Sequence, residues 1–335
     1  MSDHYFERTI TDEYQDSAIK KKRNSLIIHL VLFFITLITT IIAGTEWTTG
    51  VMGPYSLNSL SLGLPYSLAV LFVLSAHEFG HYFAAVFHKV KATLPYYIPF
   101  PPVPGFFNFG TMGAVIRTKS VIPDNKAMFD IGVAGPISGF IACLIVLVYG
   151  FTHLPGVEYI LHIHPDFFSP HYGEGAISLE FGDTLLFAFL RELLTKPGQF
   201  VPPMTEVYHY PYLMVGWFGL FVTAMNMIPV GQLDGGHVVY SMFGSKKHET
   251  IASISMVILV GLGIIGLIDS ILELGINIGW SGWLFWSLIL YFIIKVKHPP
   301  VRYYHKLDNK RMLIGYFSLF IFIISFSPTP FIISL

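Results

Sequence analysis

Residues 66–87 read YSLAVLFVLSAHEFGHYFAAVF, a run without Lys or Arg that is apolar except around His77-Glu78-Phe79-Gly80-His81. As a helix it rises about 33 Å, enough to cross one hydrocarbon core. His77 and His81 are four residues apart, so their imidazoles share one helix face. Ionisable groups in such a run are expensive to bury and mark functional sites by default. The H-E-x-x-H spacing lets two His hold one Zn²⁺ while the intervening Glu78 takes a proton from water. The competing reading is a buried His/Glu hydrogen-bond cluster without metal.

The rest of the chain supports a membrane setting. Of its 335 residues, 53% are hydrophobic and 12% are charged. Soluble domains carry about 25% charge. This excludes a soluble globular enzyme, a disordered tail protein and a nucleic-acid binder with a basic face. The net charge of −1 points to no polyanionic partner. The single Cys143 excludes a disulfide framework and a thiolate cluster. Further apolar runs lie at 25–44, 128–151, 212–228, 251–268, 278–294 and 312–326. The first is too long and too far from the N-terminus for a cleaved signal peptide. The expected fold is an all-α polytopic membrane protein of about seven transmembrane helices, with a small membrane-associated strand or re-entrant segment. With the N-terminus in the cytoplasm, 18 of the 20 Lys and Arg residues fall on the cytoplasmic side. The boundaries read as a cytoplasmic N-terminal tail at 1–24, polar and mobile over its first 19 residues, a membrane-embedded domain at 25–327 with its core at 65–243, and a C-terminal tail at 328–335.

Two connections are unusual. Residues 91–119 contain PYYIPFPPVPGFFNFGTMGAV, too apolar for a free loop and too Pro-rich for a helix. Non-helical backbone at membrane depth needs cover from protein or a water-filled cavity. The segment therefore reads as re-entrant or membrane-hugging, with short strands beside a functional cavity. The other reading is an interfacial loop on lipid headgroups. Residues 152–210 form a 59-residue outer loop, a cap with a short helix near 184–194.

Catalytic zinc usually takes three protein ligands and keeps one position open. The best third ligand is Asp234, in NMIPVGQLDGG at 226–236. Pro229 breaks the fourth span, and Gly235-Gly236 allow a sharp turn. A kinked span end can point the carboxylate back into the membrane, in its cytoplasmic half. Alternatively Asp234 is solvated in an interfacial turn.

HEFGH in one span with N-x-x-P-x-x-x-L-D-G-G in a later one resembles the site-2 protease family, the membrane zinc metalloproteases of peptidase family M50. The resemblance covers roughly residues 65–243. It implies a metalloendopeptidase acting on transmembrane protein substrates, with one Zn²⁺ per chain held by His77, His81 and Asp234. Glu78 would be the catalytic acid/base. LPYYIPFPPVPGFFNFGTMGAV at 94–115 is similar to the membrane-associated strand region of a subgroup of the family, and VAGPISGF at 133–140 is similar to the start of its third core helix. Asn226 reads as an oxyanion donor or substrate clamp, or else as a capping residue. The 59-residue loop is too short for the outer PDZ domain of many bacterial members, which needs about 80–90 residues.

Other residues take plainer readings. His162 and His164, with His171, could bind a second metal, but two His at i and i+2 in a polar loop read rather as surface residues; His237 reads as a neighbour of the site or an interfacial residue and His29 as packed or snorkelling. Gly135 and Gly139 have GxxxG spacing for close helix packing. Asp130 reads as a helix cap, Asp269 and Glu273 as solvated, and Trp280, Trp283 and Trp286 as an interfacial band. A transporter or channel with a midplane metal or proton site is the competing function, but the chain lacks paired broken helices in two related halves. An inactive protease-like scaffold is the other, against which stand the intact ligand set and Glu78. The partners expected are a transmembrane substrate and the lipid bilayer, with no nucleic acid. The expected location is a bacterial plasma membrane. Oligomeric state is not legible.

Overall fold

The apolar runs become helices wherever Pro and Gly permit. A computed structural model describes residues 3–53, 55–101, 103, 108–175 and 178–334, with side chains over 25–333 of these. Helices α1 (Asp3–Thr49), α2 (Leu57–Leu62) and α3 (Leu64–Phe87) come first. Pro65 stands in the first turn of α3, where its missing N–H costs nothing. Strands β1 (Tyr96–Pro99) and β2 (Thr111–Val115) follow, then α4 (Asn125–Thr152). Asp124 starts α4 by accepting a hydrogen bond from Ala127 N at 2.8 Å. The long loop holds α5 (Val157–Ile163), β3 (Ser178–Phe181), α6 (Leu185–Leu194) and a 3-10 turn at Val207–His209. Then come α7 (Pro211–Met227), α8 (Asp234–Leu272), α9 (Gly282–Ile289) with a π turn at Leu290–Ile294, α10 (Asn309–Ser325) and β4 (Phe331–Ser334).

Helix α4 is the hub, and α3, α7 and α8 pack on it. Its most apolar stretch is 61% buried, against 22% for those of α1 and α8. Gly132, Gly135 and Gly139 lie buried along α4, where small residues let neighbouring helices approach closely. By contrast, Leu30, Phe34 and Ile38 on α1 and Ile254, Val257 and Ile258 on α8 are exposed. Such continuous apolar faces suit lipid, not water. Among the described residues, four helices are long and apolar enough to cross a membrane: 25–49, 64–87, 125–152 and 234–272. Helices α7 and α10 have 17 residues each, and the apolar helix at 282–294 is shorter still. The chain is a mostly helical membrane protein.

Gly244 divides α8, with φ +81° and ψ 173° interrupting the helix. Only glycine takes such a conformation readily. A ten-residue stub, 234–243, therefore precedes a longer arm, 245–272.

Among the described residues, two small antiparallel sheets flank the helices. In the first, Tyr96 pairs with Val115, Tyr97 with Ala114 and Pro99 with Thr111, with an irregularity between Tyr97 and Pro99. Tyr97 reaches α3 through a 2.6 Å hydrogen bond with Ser75 Oγ. Pro102 and residues 104–107, the middle of the Pro-rich segment, lie outside the described residues. In the second sheet β3 pairs with β4, Phe181 opposite Phe331. Trp217 on α7 anchors this sheet by stacking on Phe181 and donating to Gly182 O at 2.8 Å.

Several sequence readings change here. The backbone from Asp3 to residue 24, read as a polar tail, continues α1 as helix. Residues 331–334, placed in a C-terminal tail, are tied into β4. Asp130 does not cap α4. It lies one turn inside the helix, paired with Arg311 Nη2 at 2.6 Å and His88 Nε2 at 2.8 Å. Asp269 is buried and accepts from Ile276 N and Asn277 N, closing the turn after α8. Trp283 is buried rather than interfacial and donates to Pro328 O at 2.7 Å.

The basic end of the bundle is stitched by side chains. Asp308 caps α10 by accepting from Arg311 N at 3.0 Å. That bond and the Arg311 guanidinium hold its carboxyl down to about 2. Asn125 is fully buried, accepts from His305 N at 2.7 Å and donates to His305 O and Ser241 O. Asn125→Ala strands the His305 N–H and is expected to cost about 1–3 kcal/mol. A lower midpoint of thermal denaturation in detergent checks this.

Candidate metal centre

His77 and His81 lie one turn apart on α3, with their Nε2 atoms 3.1 Å from each other. Asp234 Oδ2 stands 3.4 Å from His77 Nε2 and 3.3 Å from His81 Nε2. The three donor atoms lie within 4.8 Å of one another, and both imidazoles are buried. Zn²⁺ bonds of about 2.0–2.1 Å in tetrahedral geometry place ligand atoms about 3.3 Å apart. The donor set and its spacing therefore fit a zinc ion.

Backbone groups orient these donors. His81 Nδ1 lies 2.7 Å from Ile131 O on α4. A carbonyl only accepts, so the ring proton sits on Nδ1 and Nε2 turns its lone pair to the cluster. Space for the rings comes from α4. A Cβ on Gly135 would lie 2.1 Å from His81 Nε2, and one on Gly139 would lie 3.1 Å from His77 Nδ1. The GxxxG spacing is thus a packing face whose partners are the two imidazoles.

Asp234 arrives differently from the sequence reading. The chain leaves α7 at Met227, turns through 228–233 and starts α8 at Asp234. The carboxylate belongs to a helix start, not a kinked span end, and the helix N-terminus favours negative charge there. Gly235 and Gly236 are helical residues, not turn residues. A Cβ on Gly235 would lie 2.0 Å from Met227 O, and one on Gly236 would lie 2.3 Å from Gly231 O. Their bareness lets the start of α8 press against the chain it came from, which fixes Asp234.

Glu78 is buried on α3, and its Oε2 accepts from Ile116 N at 2.8 Å. Ile116 directly follows β2, so the strand pair reaches the carboxylate through one amide. Glu78 lies outside the group of clustered donors. Asn226 sits half-buried near the end of α7 and, among the described residues, makes no side-chain hydrogen bond. His237 Nδ1 lies 2.8 Å from His298 Nε2, outside the donor group. His29 Nδ1 donates to Pro95 O at 3.1 Å, as a packed residue would. The Ile131 carbonyl and the Ile116 amide escape sequence reasoning, because any residue supplies a backbone group.

A family model, that of peptidase family M50, matches residues 65–265, well over half the chain. The chain belongs to peptidase family M50. His77, Glu78, His81, Asn226 and Asp234 all lie within the matched stretch. Among curated relatives, the Arabidopsis thaliana protein described as probable zinc metalloprotease EGY1, chloroplastic, is 34% identical over 61% of this chain and 34% of its own length. Its namesake from Oryza sativa subsp. japonica is 33% identical over 61% of this chain and 32% of its own length. Probable zinc metalloprotease EGY2, chloroplastic, from Arabidopsis thaliana is 25% identical over 82% of this chain and 44% of its own length. The M50 chain therefore spans between 32% and 44% of the length of these relatives. No solved structure matches it. What the M50 chain brings together is two buried imidazoles and one half-buried carboxylate, with a second, buried carboxylate on the same helix as the His pair.

Proposed function

We propose that this M50 chain is a zinc-dependent intramembrane endopeptidase, hydrolysing peptide bonds in or near transmembrane segments of membrane proteins. The observation that carries this is the convergence of His77, His81 and Asp234 within 4.8 Å, with both imidazoles buried and the carboxylate half-buried. These three residues would hold one zinc ion at this centre. Zinc bound there supplies Lewis acidity toward water and the scissile carbonyl. Glu78 takes a proton from the attacking water onto its carboxylate and returns it to the leaving amine nitrogen. Its hydrogen bond from Ile116 N keeps the carboxylate in place between the two transfers. Asn226, with its amide uncommitted, would donate to the substrate backbone. A substrate helix must unwind first, and the segment 91–119 would hold the unwound part by strand addition.

Seven crossings are part of the proposal: the four long helices, α7, α10 and the helix at 282–294. An odd number puts β4 on the same face as β3 in the loop after α4, and those strands pair. The distribution of basic residues supports an N-terminus on the positively charged, cytoplasmic-type side. The relatives named above are described as chloroplastic, so they lend no support to a bacterial plasma membrane.

The test is metal analysis of the purified chain followed by cleavage of a model transmembrane substrate. His77→Ala is expected to lose both zinc from this centre and cleavage. A purified chain that holds zinc here yet cleaves no transmembrane substrate would count against the reading.

A further inference from the structure

A second cluster of donors lies in the loop between α4 and α7. His164 closes the C-terminal end of α5, and His209 ends the 3-10 turn that leads into α7. Their Nε2 atoms are 2.9 Å apart. Glu206 Oε2 stands 3.8 Å from His164 Nε2 and 3.6 Å from His209 Nε2. As at the first centre, the three donor atoms lie within 4.8 Å of one another. His162 and His171 take no part, and His171 pairs with Glu174 instead.

Three features distinguish this cluster from a chance meeting of polar residues. His209 Nδ1 lies 2.7 Å from Trp47 O near the end of α1. The carbonyl must accept, so Nδ1 carries the proton and His209 Nε2 presents a lone pair. A His held in this way by a backbone carbonyl is the usual arrangement of a metal ligand. Glu206 is 2% exposed, and its Oε1 accepts from Tyr172 OH at 2.9 Å. Its other oxygen, Oε2, is buried and accepts no hydrogen bond from any described residue. A proton shared between the two imidazoles would leave that oxygen bare, and a bare buried acceptor is costly. A cation between the three donors satisfies both nitrogens and the oxygen together.

We propose that His164, His209 and Glu206 form a second metal site, which takes a divalent transition-metal ion of the zinc class. Two imidazoles and one carboxylate suit zinc as they do at the first centre. His164 has 29% of its side chain exposed, so the ion has a route in from solvent. Through Trp47 O the site reaches α1, through His164 it reaches α5, and through His209 it reaches the start of α7. The bound ion staples the loop to the end of α1 and the start of α7. The expected zinc content then rises from one per chain to two.

Zinc per chain, measured by mass spectrometry on the full chain in detergent after dialysis against metal-free buffer, tests this. His77→Ala with His81→Ala removes the donors of the first centre, so the count reads the second site alone whether or not the chain is a protease. That double variant is expected to keep one zinc, and adding His164→Ala is expected to leave none. Adding His162→Ala instead should leave the zinc in place. His209 and Glu206 are too buried to vary safely, whereas His164 at the edge tests the site without emptying a core. A double variant without zinc, or one whose zinc survives His164→Ala, overturns the proposal.

Discussion

Glu78→Gln is expected to leave zinc at the first centre and to lower cleavage by about 10²–10⁴-fold or more, the range for removing a general acid/base. The two side chains have nearly the same shape. The amide oxygen of Gln can still accept from Ile116 N, so the tie to the strand pair survives. The proposed metal donors are three other residues, so metal content has no reason to change. What is lost is a group that accepts and returns a proton. This pattern separates Glu78 from the donors, where zinc and activity disappear together. Cleavage undiminished in Glu78→Gln would sink the mechanism, and zinc lost with activity would recast Glu78 as a ligand.

A loss of similar size is expected from a residue with no chemistry of its own. Gly135→Ala places a Cβ 2.1 Å from His81 Nε2 and 2.4 Å from two ring carbons. Atoms do not tolerate that distance, so either the imidazole or α4 must move. The ring cannot swing away without giving up the bond from Nδ1 to Ile131 O. The expected outcome is a folded protein with little zinc at the first centre and little cleavage. Gly139→Ala is the graded control. Its Cβ would lie 3.1 Å from His77, a contact relieved by a shift of a few tenths of an ångström. It should keep a measurable share of both. Full zinc and activity in Gly135→Ala would show that the rings have room the structure denies them.

The two His were legible because helical periodicity turns a four-residue spacing into adjacency. Asp234 was legible because a carboxylate after Pro229 and an apolar run is costly to place idly. Its setting was not: Pro229 and the Gly pair signalled a bend, while the actual device is a helix start pressed against residues 227–231. Asp130 shows a second limit. Its place near a helix start suggested a cap, yet its partner Arg311 is 181 positions away, and no local rule reaches that far. His164, Glu206 and His209 fail for the same reason, since their meeting depends on how a loop folds back. His162 and His164 looked paired only because they are neighbours in sequence. The helices were easier, because long apolar runs have one stable form in lipid. Apolar helices of 17 residues or fewer sit at the short end of what could cross a bilayer, which is why α7, α10 and 282–294 are less plain than α1 or α4.

The break at Gly244 separates two mechanical tasks within α8. Membranes differ in thickness, and a helix that faces lipid answers by tilting. The arm at 245–272, with Val257 73% exposed, is the part that feels such changes. The stub at 234–243 is wedged against residues 227–231 and carries Asp234. A rigid rod would pass every tilt of the arm to the carboxylate, whereas a joint at Gly244 absorbs it. The position of the Asp234 carboxylate is thereby insulated from the thickness of the surrounding bilayer.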